Sequence, residues 1–219
     1  MKRKTLLLLA ALPLALNSCS QYDNRHVIHI SVADEAMLVT DEGKPIATYP
    51  ISTSKFGLSS REGSYGTPLG QHRVAKKIGY GLPHGAVLKS RRFTGEVLPV
   101  DAPGRDPIVT RILWLQGLEG GNRNSFARNI YIHGTPEERN IGQPVSYGCI
   151  RMRSKDVVAL FDCVGLGARV EIFREPLAER LPKLCRAPQT ATAVEKPAPA
   201  AVAESPVMAG MPSAAPRDL

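Results

Sequence analysis

Hydrophobic and polar positions alternate along residues 27–32, which read Val-Ile-His-Ile-Ser-Val. A period of two sends successive side chains to opposite faces, so this stretch predicts a strand with one buried side. A second strand is expected over 36–40 and a return strand over 47–52, with Asp41-Glu42-Gly43-Lys44 as the hairpin turn between them. Short strands then follow over 70–77, 108–115 and 169–173. One segment alone has helical spacing: Val157, Val158, Leu160, Phe161 and Val164 give it an apolar face. Ser154 is its expected N-cap, Asp156 suits its N-terminal dipole and Gly165 ends it. Residues 78–106 show little periodicity and are rich in Gly, Pro and basic side chains. They predict a long loop that borders a functional site, with Lys89, Arg91 and Arg92 as a candidate anion contact or a plain solvated face. The pattern as a whole predicts a mainly β domain with one late helix and no internal repeat.

The two ends of the chain read differently. Lys2-Arg3-Lys4 precedes an apolar run over 5–16, too short for a membrane span, which has the form of a secretory leader. Leu16-Asn17-Ser18-Cys19 resembles a lipobox, so cleavage before Cys19 would leave a lipid-bearing N-terminus; an ordinary secretory signal with an incidental cysteine is the alternative. Ser20 after that cysteine points, by the sorting habits of Gram-negative lipoproteins, to the outer membrane. From residue 187 the composition turns to Ala and Pro, which cannot bury a core. The expected layout is a leader over 1–18, a linker over 19–26 and a domain over 27–174. An extension over 175–186 and a disordered tail over 187–219 complete it.

Composition changes this picture little. A 43% hydrophobic content supplies a core for one domain, and 219 residues leave no room for two full ones. The net charge of +8 suits an anionic partner, but no nucleic-acid motif or aromatic-basic interleaving accompanies it. A basic exported protein that faces anionic wall polymers accounts for the charge equally well. Of the four cysteines, Cys163 lies in the helical run and is expected as a buried free thiol, with a pairing to Cys185 left open. No Cys-x-x-Cys and no His/Cys cluster is present, so neither a structural metal nor a cofactor is expected. His29 and His72 read as packing or surface residues, and His84 at most as a cleft-edge one.

Chemistry concentrates in residues 131–152, YIHGTPEERNIGQPVSYGCIRM. Cys149 follows Ser146-Tyr147-Gly148 and precedes Ile150-Arg151, and His133 lies sixteen positions upstream, next to Gly134. A thiol attacks a carbonyl as its thiolate, and an imidazole can take the proton and hold the charge as an ion pair. On that expectation, His133→Ala raises the apparent pKa of Cys149. The base needs a third group to fix its tautomer, and Gly148 lets a substrate carbonyl come close to the backbone. The amides of Gly148 and Cys149 are the expected oxyanion donors.

The Ser-Tyr-Gly-Cys-Ile-Arg string with its upstream His-Gly resembles the catalytic motif of the L,D-transpeptidases, bacterial enzymes that remodel peptidoglycan. The likeness extends to Ser52-Thr53-Ser54, to Gly66-Thr67-Pro68-Leu69-Gly70, to 110–115 and to 156–161, and covers 27–173. It implies a β-sandwich with Cys149 at the end of a cleft, His133 as base and the Gly134 carbonyl as its orienter. It further implies attack on the bond between a diamino acid and D-alanine in a stem tetrapeptide, then transfer to an amine, with exchange or a protein acceptor as variants. Ser146, Tyr147 and Arg151 are expected to contact substrate; for Arg151 a role in buttressing the cysteine loop stands beside that one. Tyr147 occupies a position where the family usually has His, which leaves the upstream base in place. An L,D-carboxypeptidase and an inactive murein-binding lipoprotein are the rivals, and the retained His133–Cys149 pair argues against the second.

Overall fold

The computed structural model describes residues 22–185. The leader, the Cys19 lipid site and the Ala/Pro tail lie outside the described residues. Strand β1 (His26–Ser31) pairs antiparallel with β2 (Ala36–Asp41), and β3 (Lys44–Pro50) returns along β2. Glu42 and Gly43 turn this hairpin at φ 48° and 77°. Two consecutive positive φ values match the twist of the flanking strands and place the turn where the sequence predicts it.

The chain continues through β4 (Gly70–Ile78), β5 (Ala86–Lys89), β6 (Arg92–Val97) and β7 (Val109–Gly117). After β8 (Tyr131–Gly134) and β9 (Ile150–Met152) come helix α1 (Ser154–Cys163) and β10 (Arg169–Phe173). The main path of the sheet runs β3-β2-β1-β10-β4-β7-β5-β6, and β8 branches from β7 to carry β9. Bridges from Ser52 to Arg151 and from Ser54 to Ser146 then tie the chain just beyond β3 to β9 and its approach. One mainly β sheet therefore curls back on itself, and its two facing layers hold the core.

Alternation decides which side chains enter that core. Ile28 and Ile30 of β1, Met37 and Val39 of β2, and Leu113 and Leu115 of β7 point into it, all with almost no exposure. Ile132, Ile150 and Met152 join them from β8 and β9, and α1 adds Val157, Leu160 and Phe161. Burying each such side chain contributes about 1.5–3 kcal/mol relative to leaving it in water. The opposite face of β7 carries Ile112 and Trp114, which form a second cluster with Leu88 and Tyr131. Cys149 packs against that second cluster.

Several details differ from the sequence expectation, among them β3, which starts at 44 and not 47, and the end of α1, capped by Val164 and not by Gly165. Residues 78–106 are no plain loop, since β5 and β6 pair as a hairpin within them. Five of the six β6 residues are exposed, so the strand shows no alternation for a sequence to display. Arg153, not Ser154, is the N-cap of α1 and makes no side-chain cap. The Ser154 N–H donates instead to the carboxylate of Glu138 at 2.8 Å, an acceptor brought in from a 3₁₀ turn (Glu138–Asn140). Cys163 is a free but exposed thiol, because the inward face of α1 is set by 157, 160 and 161 and misses it. Cys185 is free as well. Two short helical turns, α2 (Leu177–Arg180) and α3 (Pro182–Cys185), follow β10. Among the described residues no helix is long and apolar enough to cross a membrane.

Candidate active site

Strands β8 and β9 run parallel, with Ile132 opposite Ile150 and His133 opposite Arg151. Because the period is two, Ile132 and Ile150 face the core, while Tyr131, His133, Cys149 and Arg151 belong to the other face. The base candidate within β8 and the nucleophile candidate one residue before β9 thus belong to one face. His133 is buried, and its Nδ1 lies 2.9 Å from the Gly134 carbonyl. A carbonyl can only accept, so Nδ1 carries the hydrogen and Nε2 keeps its lone pair. The Cys149 thiol, partly exposed, donates to the Asn129 carbonyl at 3.3 Å.

The turn before Cys149 is held from within. The buried Ser146 hydroxyl donates to the Cys149 carbonyl at 2.6 Å and accepts the Gly148 N–H at 3.2 Å. That changes two expectations. Ser146 is fully buried and shapes the loop, so it has no surface with which to touch substrate. The Gly148 amide is already engaged, so it is not a free oxyanion donor. Gly148 is required for another reason: its φ is +111°, and a Cβ there would come within 3.1 Å of the Gly66 carbonyl oxygen. Tyr147, by contrast, is 55% exposed.

Arg151 pairs with Asp106 at 2.6 Å, both side chains being mostly buried. The Thr135 hydroxyl donates to the other oxygen of Asp106 at 2.5 Å. The guanidinium is therefore directed at a protein carboxylate, the geometry of a buttress. Asp106→Asn is expected to leave a buried cation without its counter-charge, at a cost of about 3 kcal/mol. Chemical denaturation of the variant checks this, and a loss under about 0.5 kcal/mol would mean the pair does not hold the loop.

Burial acts on both reacting groups in the direction of neutrality. It pushes the His133 imidazole down to about 4, helped by the Arg151 charge and opposed by the bond to Gly134. It pushes the Cys149 thiol up to about 11, against the Tyr131 amide and the charges of Arg151 and Arg128. Each shift taken by itself favours the neutral form of its group, the thiol and the imidazole. The thiol's donation to a carbonyl oxygen agrees, since a thiolate would be repelled there.

A model of the L,D-transpeptidase catalytic domain, YkuD, matches residues 25–172, more than half of the chain. The chain belongs to this family. Among its curated relatives, YbiS of Escherichia coli (strain K12) is 36% identical over 88 residues, covering 39% of this chain and 25% of that protein. YkuD of Bacillus subtilis (strain 168) is 40% identical over 81 residues, covering 36% of this chain and 49% of that one. Both are named as L,D-transpeptidases, and the match spans between a quarter and half of their lengths. A solved L,D-transpeptidase from Mycobacterium smegmatis shares 19% identity at a TM-score of 0.46 over 68% of this chain and 58% of that one, too distant to add to the argument.

The L,D-transpeptidase domain surrounds its thiol with residues that no motif pointed to. Arg128 donates to the Ser59 carbonyl at 3.0 Å and the Gly66 carbonyl at 2.8 Å, close enough to Cys149 to favour the thiolate. Asn129 sits at φ 57° and offers its carbonyl to the thiol. Glu35, buried, accepts the N–H and the hydroxyl of Thr53, both at 2.5 Å, and the Thr53 carbonyl accepts the Ser146 N–H at 2.9 Å. Its burial raises that carboxyl, while the Thr53 bonds pull it back. Arg91 reaches the Tyr131 hydroxyl at 3.3 Å, which brings the β5–β6 hairpin to the border of the site. Lys89 and Arg92 make no such contact among the described residues. His84 lines a separate cavity of about 330 Å³ with Leu98, Pro136 and Ser154.

Proposed function

We propose that this chain is a peptidoglycan L,D-transpeptidase with Cys149 as nucleophile and His133 as general base. The observation that carries the reading is the hydrogen bond from His133 Nδ1 to the Gly134 carbonyl, which fixes the tautomer with a basic Nε2 on the face that holds the thiol. The proton moves from Cys149 to Nε2 as sulfur attacks the carbonyl between the diamino acid and D-alanine of a stem tetrapeptide. With the Gly148 amide engaged, the Cys149 amide is the donor assigned to the oxyanion. The amine of D-alanine leaves with the proton from His133, and a thioester remains on Cys149. A side-chain amine of a second stem then attacks the thioester, gives its proton to His133 and releases the thiolate, leaving a 3-3 cross-link. Arg151 and Ser146 are positioning residues in this scheme, and Tyr147 is the member of the motif left to meet substrate.

Incubation with a disaccharide tetrapeptide, followed by mass measurement, tests this. A dimer that has lost one D-alanine is the expected product. Tripeptide alone would make the chain an L,D-carboxypeptidase that uses water, and no change would overturn catalysis altogether.

The same proposal places the chain in the cell envelope, lipid-anchored through Cys19 at the outer membrane. Cys19→Ser is expected to move the protein from the membrane fraction to the soluble one. A wild-type chain already soluble on fractionation would overturn the anchor.

A further inference from the structure

Beside the thiol lies a surface of which the reaction scheme uses only Tyr147. Phe56, Tyr65 and Tyr147 are 50%, 56% and 55% exposed, although large aromatic rings lose free energy in water. They come from three separate segments and meet, with ring centroids 5.7, 5.3 and 5.9 Å apart. Lys55 donates to the Tyr147 hydroxyl at 2.9 Å and lies 4.4 Å from that ring's centre. The cluster is held in place from below. Tyr65 sits at φ 55°, a left-handed conformation costly for a bulky residue, and its carbonyl accepts the Ser54 hydroxyl at 2.5 Å. Arg128 pins the loop on either side of it through Ser59 and Gly66.

We propose that Lys55, Phe56, Tyr65 and Tyr147 form a saccharide platform that seats an N-acetylhexosamine ring of the glycan carrying the donor stem. This rests on the transpeptidase reading. The chemistry of the patch selects the ligand: a pyranose offers weakly positive C–H groups on its face, which suit the negative face of an aromatic ring. Its rim of hydroxyls suits the amine and the two phenols. Exposed aromatic rings also seat at membrane interfaces. The glycan is preferred here because the patch adjoins the thiol whose donor stem hangs from sugar, and vesicle binding is one arm of the test. The reach also agrees. Tyr147 is two residues from Cys149, at most about 7 Å along the chain, and the Phe56 ring lies 5.3 Å from the Tyr147 ring. Three extended residues between the sugar and the scissile carbonyl span about 10 Å. The two lengths are of the same order, so one stem can bridge a sugar on the platform and the sulfur.

The test is a calorimetric titration of the Cys149→Ala chain with an N-acetylglucosamine tetramer, a stem tetrapeptide without sugar, and neutral phosphatidylcholine vesicles. Saturable binding of the tetramer is expected. Phe56→Ala is expected to weaken it about tenfold or more, and Phe56→Tyr to restore it to within about threefold, at matched melting temperature. Affinity for the sugar-free peptide should change less than about threefold in both. No tetramer binding, equal binding by Phe56→Ala, or binding of vesicles in place of sugar would each overturn the platform. Because no turnover is involved, failure of the platform and failure of the transpeptidase reading register in different experiments.

Discussion

Cys149→Ala is expected to lower turnover of a stem tetrapeptide by about four orders of magnitude or more, with the melting temperature retained. The size of the loss follows from the thiol's role: without it no thioester forms, and the remaining groups only bind and polarise. Retention of the fold follows from its surroundings. The sulfur is partly exposed and donates one hydrogen bond to the Asn129 carbonyl, while the turn around it is fixed by Ser146, Thr67 and the Gly148 backbone. Alanine leaves those bonds in place. Comparing product formation with a thermal melt for wild type and variant decides the matter. Substantial turnover by a natively melting variant would remove Cys149 from the mechanism.

His133→Ala is expected to cost about a hundredfold or more in turnover, the worth of general-base assistance. Its effect on the thiol separates the two charge states. Had the pair rested as thiolate and imidazolium, loss of the ring would raise the pKa of Cys149. Burial and the charges of Arg151 and Arg128 act on the thiol and His133 is not among its causes, so the alkylation profile of Cys149 should change little in the variant. A marked upward displacement would restore the ion pair. Turnover of wild type should fall as pH drops through about 4, where Nε2 takes a proton and ceases to be a base. Stability carries the same signature. An imidazole lowered from 6.5 to about 4 binds fewer protons folded than unfolded, so stability is full above 6.5 and declines as pH falls toward 4. His133→Ala should flatten that part of the curve.

The strands that a period of two can announce were legible: β1, β2, β4 and β10 each have one face on the core and differ from expectation by a residue at most. Strand β7 was found as an apolar run, and it is buried on both faces. The hairpin of β5 and β6 was not legible, because β6 faces water on both sides. Cys149, His133 and Gly134 could be named because they sit in one short string with a family likeness. Asp106 and Glu35 could not, since each reaches its partner from more than fifteen residues away and spacing carries no trace of it, and Arg128, though five residues before His133, lies outside the motif. Charge state escaped for a different reason. A motif names groups that can exchange a proton, whereas the surroundings that the fold gives them, such as the burial of His133, decide which form is favoured.

The place of β10 has a consequence for how the chain matures. The last strand among the described residues lies in the middle of the sheet, parallel to β1 on one side and antiparallel to β4 on the other. Until residue 173 has been made, the β3-β2-β1 hairpins and the remainder of the sheet have no common edge along that line. Such long-range pairing is slow to form and comes late. A fragment ending at Gly165 should accordingly show no cooperative unfolding transition. The two halves of the sheet are therefore expected to join only once β10 has been added.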